Sequence, residues 1–241
     1  MLAHPLRTAD ARRIGVVIAL PAEANTFARA TGPDVDVAIV GPGPRRAEAG
    51  ARALIEGGVG ALLSWGTSGA LVADLPAGRL LLGEALRDAR GNEYASDPAW
   101  LALAARALAP LSPQRARCLT VERPASHLRA KQLLARDSGC SAVDMESAAV
   151  AASAATAQLP FLAVRSIVDP VDCDLPRCVM AGFDVDGGTQ ILRLLAALAR
   201  RPWEVTGVVR LAGHFNAALR ALREAARLLS AATPTSMPGS A

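Results

Sequence analysis

Short apolar runs alternate with helix-like segments along most of this chain, and that alternation restricts the fold more than any other feature. The runs are "IGVVIAL" (14–20), "VDVAIV" (35–40), "VGALLSW" (59–65), "RLLLGEAL" (79–86), "ARCLTV" (116–121) and "LPFLAVRSI" (159–167). Rich in Val, Ile and Leu and short for helices, they suit strands buried on both faces. Between them lie "AEANTFARA" (22–30), "RRAEAGARALIEG" (45–57), "DPAWLALAARALA" (97–109), "LRAKQLLARDSG" (128–139) and the segment 146–157, with Gly57, Gly58 and Gly139 as helix stops. Repetition of strand then helix predicts an α/β layer structure with a largely parallel sheet. A ligand crevice then belongs at the carboxyl ends of the strands.

The 241 residues, 51% of them apolar, suffice for one sizeable core. One domain is expected over 1–230, including helical stretches at 185–200 and 203–230, followed by a flexible tail over 231–241. The last helix is amphipathic and basic, which suits covering the sheet or a subunit contact better than a membrane surface. A formal charge of +4, with Arg dispersed along the chain, argues against nucleic acid as a partner. Cys118, Cys140, Cys173 and Cys178 follow no zinc or disulfide spacing, so reduced thiols and no metal are expected. "MLAHPLRTADARR" lacks the apolar stretch of a signal peptide, which points to a cytoplasmic protein. The uncharged segment between Glu146 and Arg165 is mostly Ala, Ser and Thr, interrupted by Gln158 and Pro160, and reads as helix plus strand, not a membrane span.

The residues just past the strands carry the chemistry. Glu23 follows the first, "GPGPRR" (41–46) the second and "GTSG" (66–69) the third, while the last runs into Asp169. Asp144, Met145 and Glu146 stand where a short strand hands over to a helix, in "SAVDMESAAVA" (141–151), a stretch otherwise suited to the interior. Ionised acids there need partners. Each motif has a plain structural alternative: Glu23 as a first-turn helix acid, "GPGPRR" as a tight turn or an anion site, "GTSG" as a turn or a close backbone approach to a ligand, Asp169 as the start of a turn at Pro170.

In chain order and context these segments together resemble the nucleoside phosphorylase and nucleosidase superfamily. The nearest likeness is to methylthioadenosine-type nucleosidases and hopanoid-associated phosphorylases, over Ile14 to Pro176. "IGVVIALPAE", "SWGTSGALVADLPAGRLLL", "AVDMESAAVA" and "VRSIVDP" carry it. The resemblance implies a three-layer α/β/α fold with a mixed, largely parallel sheet, and a homo-oligomer. It implies that Met145 packs on a sugar, that Glu146 accepts ribose hydroxyls with Thr67 nearby, and that Asp169 is a general acid at N7 of a purine. Glu23 corresponds to the acid that activates water in hydrolytic members, whereas Gly41, Gly43, Arg45 and Thr67 are a candidate phosphate site. Water and phosphate both remain open as acceptor, inorganic phosphate being a co-substrate in the second case alone, and no cofactor is expected. Asp144 is expected to be an outward or structural neighbour.

Two departures qualify the resemblance. Val168 stands where many relatives carry Ser, and "TVERPASHLRAK" (120–131) lacks the aromatic that commonly stacks on adenine; Trp65 and Phe161 are better placed as core. The hopanoid likeness implies a lipid-linked nucleoside, adenosylhopane, as substrate, with peripheral membrane contact and adenine release; a methylthioadenosine or S-adenosylhomocysteine nucleosidase is the alternative. A serine hydrolase using Ser68 with Asp174 and His214 requires a helix directly after the serine, and "ALVADLPAGRLLL" does not supply one. A nucleoside- or lipid-binding module without catalysis is the remaining rival. His4 and His127 read as surface residues.

Overall fold

The computed structural model describes residues 13–28, 34–176, 178 and 200–231. The strands are β1 (Ile14–Ile18), β2 (Val35–Ile39), β3 (Ala61–Ala70), β4 (Leu80–Arg87), β5 (Glu93–Ala95), β6 (Gln114–Thr120), β7 (Ala142–Asp144) and β8 (Phe161–Asp169). The helices are α1 (Pro21–Phe27), α2 (Pro44–Glu56), α3 (Pro98–Ala107), α4 (Leu128–Ser138), α5 (Ser147–Thr156) and α6 (Val205–Ala231). The expected helix at 185–199 and the tail at 232–241 lie outside the described residues.

All eight strands join one mixed, mostly parallel sheet ordered β2-β1-β3-β7-β6-β4-β5, with β8 pairing both β3 and β4. Because β3 also pairs β7, β7 pairs β6 and β6 pairs β4, these strands and β8 close a ring. Apolar side chains fill both faces. Ile14, Val16, Leu63, Trp65 and Leu82 meet helix residues such as Phe27, Trp100 and Leu222 on one side. Val17, Leu62 and Leu81 meet Ala47, Ala51, Val150 and Ala154 on the other. Helices on both faces are what the unbroken apolar strands require. Gly139, in the left-handed region at φ 67°, ends α4 as its sequence suggests.

β3 is longer than its apolar run. Gly66 to Gly69 has the composition of a turn, yet it continues the strand, with β8 alongside from Leu62 to Gly69 and β7 meeting Gly69 and Ala70. Ladder partners on both sides override local preference. A register shift between Ser68 and Gly69 then bends the end of the strand.

Candidate active site

The ends of β1, β3, β7 and β8 meet around a cavity of about 410 Å³, lined among others by Glu23, Thr67, Ser68, Met145, Glu146 and Asp169. Val208, Leu211 and Phe215 of α6 add an apolar wall.

Glu23 lies in the first turn of α1 and is 2% exposed. Its Oε2 accepts the Leu20 N–H (3.0 Å), which is ordinary behaviour for an acid at a helix start. Its Oε1 crosses to β3 and accepts both the Thr67 N–H (2.8 Å) and hydroxyl (2.7 Å). Gly66 makes this approach feasible, because a Cβ there would lie 3.0 Å from the carboxylate. Burial raises the Glu23 pKa despite the Thr67 bonds.

The acids of the "DME" stretch have different roles. Asp144 is buried, not outward. It accepts the Thr120 hydroxyl (2.7 Å), the backbone N–H groups of Glu146 (3.2 Å) and Ser147 (3.1 Å), and the Ser147 hydroxyl. It also pairs with Arg165 (2.9 Å), itself 1% exposed and donating to Ser64 (2.6 Å). Burial opposes its ionisation, but Arg165 and the Ser147 and Thr120 hydroxyls outweigh that and hold its pKa down. Glu146 accepts the N–H of Gly43 (3.1 Å) and faces Arg165 at 3.9 Å. Burial and then the Asp144 charge push its pKa up. One guanidinium thus serves two acids, Asp144 at 2.9 Å and Glu146 at 3.9 Å.

Asp169 ends β8. Its Oδ2 pairs with Lys131 Nζ (2.9 Å), while its buried Oδ1 has no partner among the described residues. Burial raises its pKa to about 6 against the pull of Lys131.

The structure therefore brings Glu23, Thr67, Met145, Glu146 and Asp169 together. The backbone and Thr67 donors of the candidate anion site are bonded within the fold. The Gly41 N–H goes to Ala19 O (3.0 Å), the Gly43 N–H to Glu146 and both Thr67 donors to Glu23. Arg45 is exposed and lines a separate open cleft with Glu48, Asp88 and Tyr94. The Gly43 N–H and both Thr67 donors are thus engaged by carboxylates, and the Gly41 N–H by a backbone carbonyl. Ser68 is no hydrolase nucleophile either, since it sits inside β3 with an unpartnered hydroxyl, and Asp174 is bonded to the Leu128 N–H. Among the described residues no cluster of His, Cys, Asp or Glu is placed to hold a metal.

The sequence profile of the phosphorylase superfamily matches residues 13–199, well over half of the chain. The chain belongs to the phosphorylase superfamily. It is an enzyme of the nucleoside phosphorylase and nucleosidase kind. A search of curated protein sequences found no match. Similar solved structures include the 5′-methylthioadenosine/S-adenosylhomocysteine nucleosidase of Neisseria meningitidis in complex with methylthio-immucillin-A. Its TM-score is 0.70 at 14% identity, over 91% of this chain and 99% of that one. Futalosine hydrolase of Helicobacter pylori gives a TM-score of 0.69 at 16% identity, over 90% and 97%. Both likenesses concern the superfamily fold.

Three residues of this superfamily site escaped sequence reasoning. Arg165 sits within "VRSIVDP", but nothing local pairs it with Asp144. Lys131 is fully buried while Leu133 of the same helix is 49% exposed, an inversion that nothing local in the sequence signals. Phe215 is the aromatic in the cavity wall, whereas Trp65 packs on Phe27 (ring centroids 5.0 Å apart) and Phe161 lies in the core, as expected for both.

Proposed function

We propose that the enzyme hydrolyses the N-glycosidic bond of an adenosyl-type nucleoside, releasing adenine and the free 5′-substituted ribose. The observation that carries this reading is the assignment of donors: Gly43 and Thr67 bond to Glu146 and Glu23, so the donors a phosphate dianion needs are engaged by carboxylates. Like charges there disfavour phosphorolysis. Water needs no such cradle. Asp169 gives its proton to N7, the electron pair of the C1′–N9 bond passes to the purine, and the sugar gains cationic character. Glu146 accepts the ribose hydroxyls in bonds worth about 1.5 to 3 kcal/mol each, Met145 packs against the ring, and the acidic cluster stabilises the developing charge. Glu23 takes a proton from the water that adds to C1′.

The apolar wall from α6, with Leu20, Pro42 and Leu175, fits an apolar 5′-substituent. A volume of about 410 Å³ suits a small nucleoside such as methylthioadenosine. A triterpene tail, as in adenosylhopane, exceeds that space and has to extend beyond it; α6, which supplies the wall, and the turn before it also carry the exposed apolar residues Trp203, Val205 and Val209. We favour the lipid-linked substrate on that apolar wall, with contact at a membrane surface and a homo-oligomeric cytoplasmic enzyme. The methylthioadenosine or S-adenosylhomocysteine reading is favoured by the cavity volume. Incubation with methylthioadenosine, S-adenosylhomocysteine, futalosine and adenosylhopane, with and without phosphate, followed by mass spectrometry of the sugar, tests all of this. Free ribose derivatives unaffected by phosphate are expected; ribose 1-phosphate would overturn the hydrolytic assignment, and the preferred substrate identifies the tail.

A further inference from the structure

Lys131 has no place in the reaction as described, yet its surroundings are unusually specific. The side chain is fully buried, and its ammonium donates to Asp169 Oδ2 (2.9 Å), the Pro170 carbonyl (2.7 Å) and the Cys173 carbonyl (2.8 Å). An ammonium has three donors, and all three are used. It is not part of the cavity lining, so it stands behind Asp169 and out of reach of a ligand. The opposite carboxyl oxygen, Oδ1, is buried without a partner. A bond to the purine would give this oxygen the partner it lacks.

We propose that Lys131 is a positioning residue for the general acid: it holds Oδ2 of Asp169, confines the transferable proton to Oδ1, and stabilises the carboxylate left behind when that proton departs. This rests on the assignment of Asp169 as general acid. During the step the Oδ1–H bond breaks, an N–H bond forms on the purine, and the ammonium keeps its own protons. The charged and titratable groups around Asp169 are Lys131 from α4, Asp174 and Cys173 from the segment after β8, and Arg210 from α6. Lys131 is the largest influence opposing burial, and Arg210 adds to it more weakly. Without the lysine the acid retains its proton more tightly, so it transfers that proton less readily while staying protonated to higher pH.

The test compares Lys131→Met, Lys131→Gln and Lys131→Arg using the adenosyl nucleoside cleaved fastest in the panel above. It adds p-nitrophenyl β-D-ribofuranoside, whose leaving group departs without protonation. For Met and Gln, kcat for adenine release is expected to fall about 10- to 100-fold, within the contribution of general acid catalysis. KM stays within about threefold, the alkaline limb of the kcat profile moves to higher pH, and nitrophenyl riboside cleavage is spared. Lys131→Arg should keep the limb near its wild-type position. Should Lys131→Met fail to fold, Lys131→Gln carries the comparison, because it retains a donor while removing the charge. A wild-type limb in the neutral variants, or equal losses on both substrates, overturns the proposal. Asp169→Asn separates the two claims: if it still releases adenine at the normal rate, the general-acid assignment itself is wrong, whatever the lysine variants do.

Discussion

At the residue scale, opposite environments divide otherwise similar acids. Asp144 is held ionised by Arg165, whereas Asp169 and Glu23 are buried with their pKa values raised. Asp169→Asn keeps the shape and removes the proton, so kcat should drop about 100- to 10,000-fold while circular dichroism stays close to wild type. The pH profile follows from the same values. Asp169 acts protonated and Glu23 ionised, so kcat/KM of the free enzyme should decline on the alkaline side as pH passes about 6 and on the acid side as Glu23 gains its proton. A profile without an alkaline decline between pH 5 and 8 would contradict the Asp169 assignment. Gly66→Ala tests the seat of Glu23: a methyl 3.0 Å from a carboxylate pinned by Leu20 and Thr67 has to displace it. The shift required is small, so a loss in kcat of about tenfold, below the scale of about 100-fold for an ångström-level misplacement, is expected with little change in fold.

At the scale of elements, the site depends on strands that run beyond their apolar cores. The composition "GTSG" signals a turn, and only pairing with β8 and β7 turns it into the end of β3 that presents Thr67 to Glu23. The Arg165–Asp144 pair ties β8 to β7 across the interior of the ring. Removing one member of a buried pair strands the other, so Arg165→Met should lower stability by about 3–5 kcal/mol, or roughly 10 °C in Tm for a chain of this size. Calorimetry that finds no loss would mean the pair is dispensable. Helix α6 acts differently: it supplies the cavity wall through Val208, Leu211 and Phe215 and none of the catalytic carboxylates. Phe215→Ala should raise KM for an adenosine bearing a long apolar 5′-substituent by about tenfold, the worth of roughly 1.4 kcal/mol. Adenosine itself should be cleaved nearly as before, and steady-state kinetics on the two substrates distinguishes them.

At the scale of the whole molecule, stability and function pull against each other through the buried acids. A carboxyl whose folded pKa is raised binds its proton more tightly in the native state. Its contribution is complete below the ordinary carboxylate range and is lost as pH rises through the folded value, here about 6 for Asp169. Asp144, with a lowered value, contributes above the ordinary range and loses that contribution in acid. The ligand-free enzyme should therefore melt higher at pH 5 than at pH 8, by on the order of 5 °C, and Asp169→Asn should narrow the gap; a melting point that rises steadily toward pH 8 would refute this. Much of the architecture was legible in one dimension, because apolar runs and helical patterns encode which surfaces must be buried. The same reading identified Glu23, Met145, Glu146 and Asp169 as residues at strand ends. Pairings between distant segments have no local signature: ring closure by β8, the guanidinium of Arg165 beside Asp144, and Lys131 behind Asp169 arise only when the sheet brings them within a hydrogen bond. For the same reason a loop that reads as an anion cradle, Gly41 to Arg45, came to hold a carboxylate. The sequence determined which groups are available to bond, and the tertiary structure decided which of them meet, because burial leaves each donor few acceptors within reach.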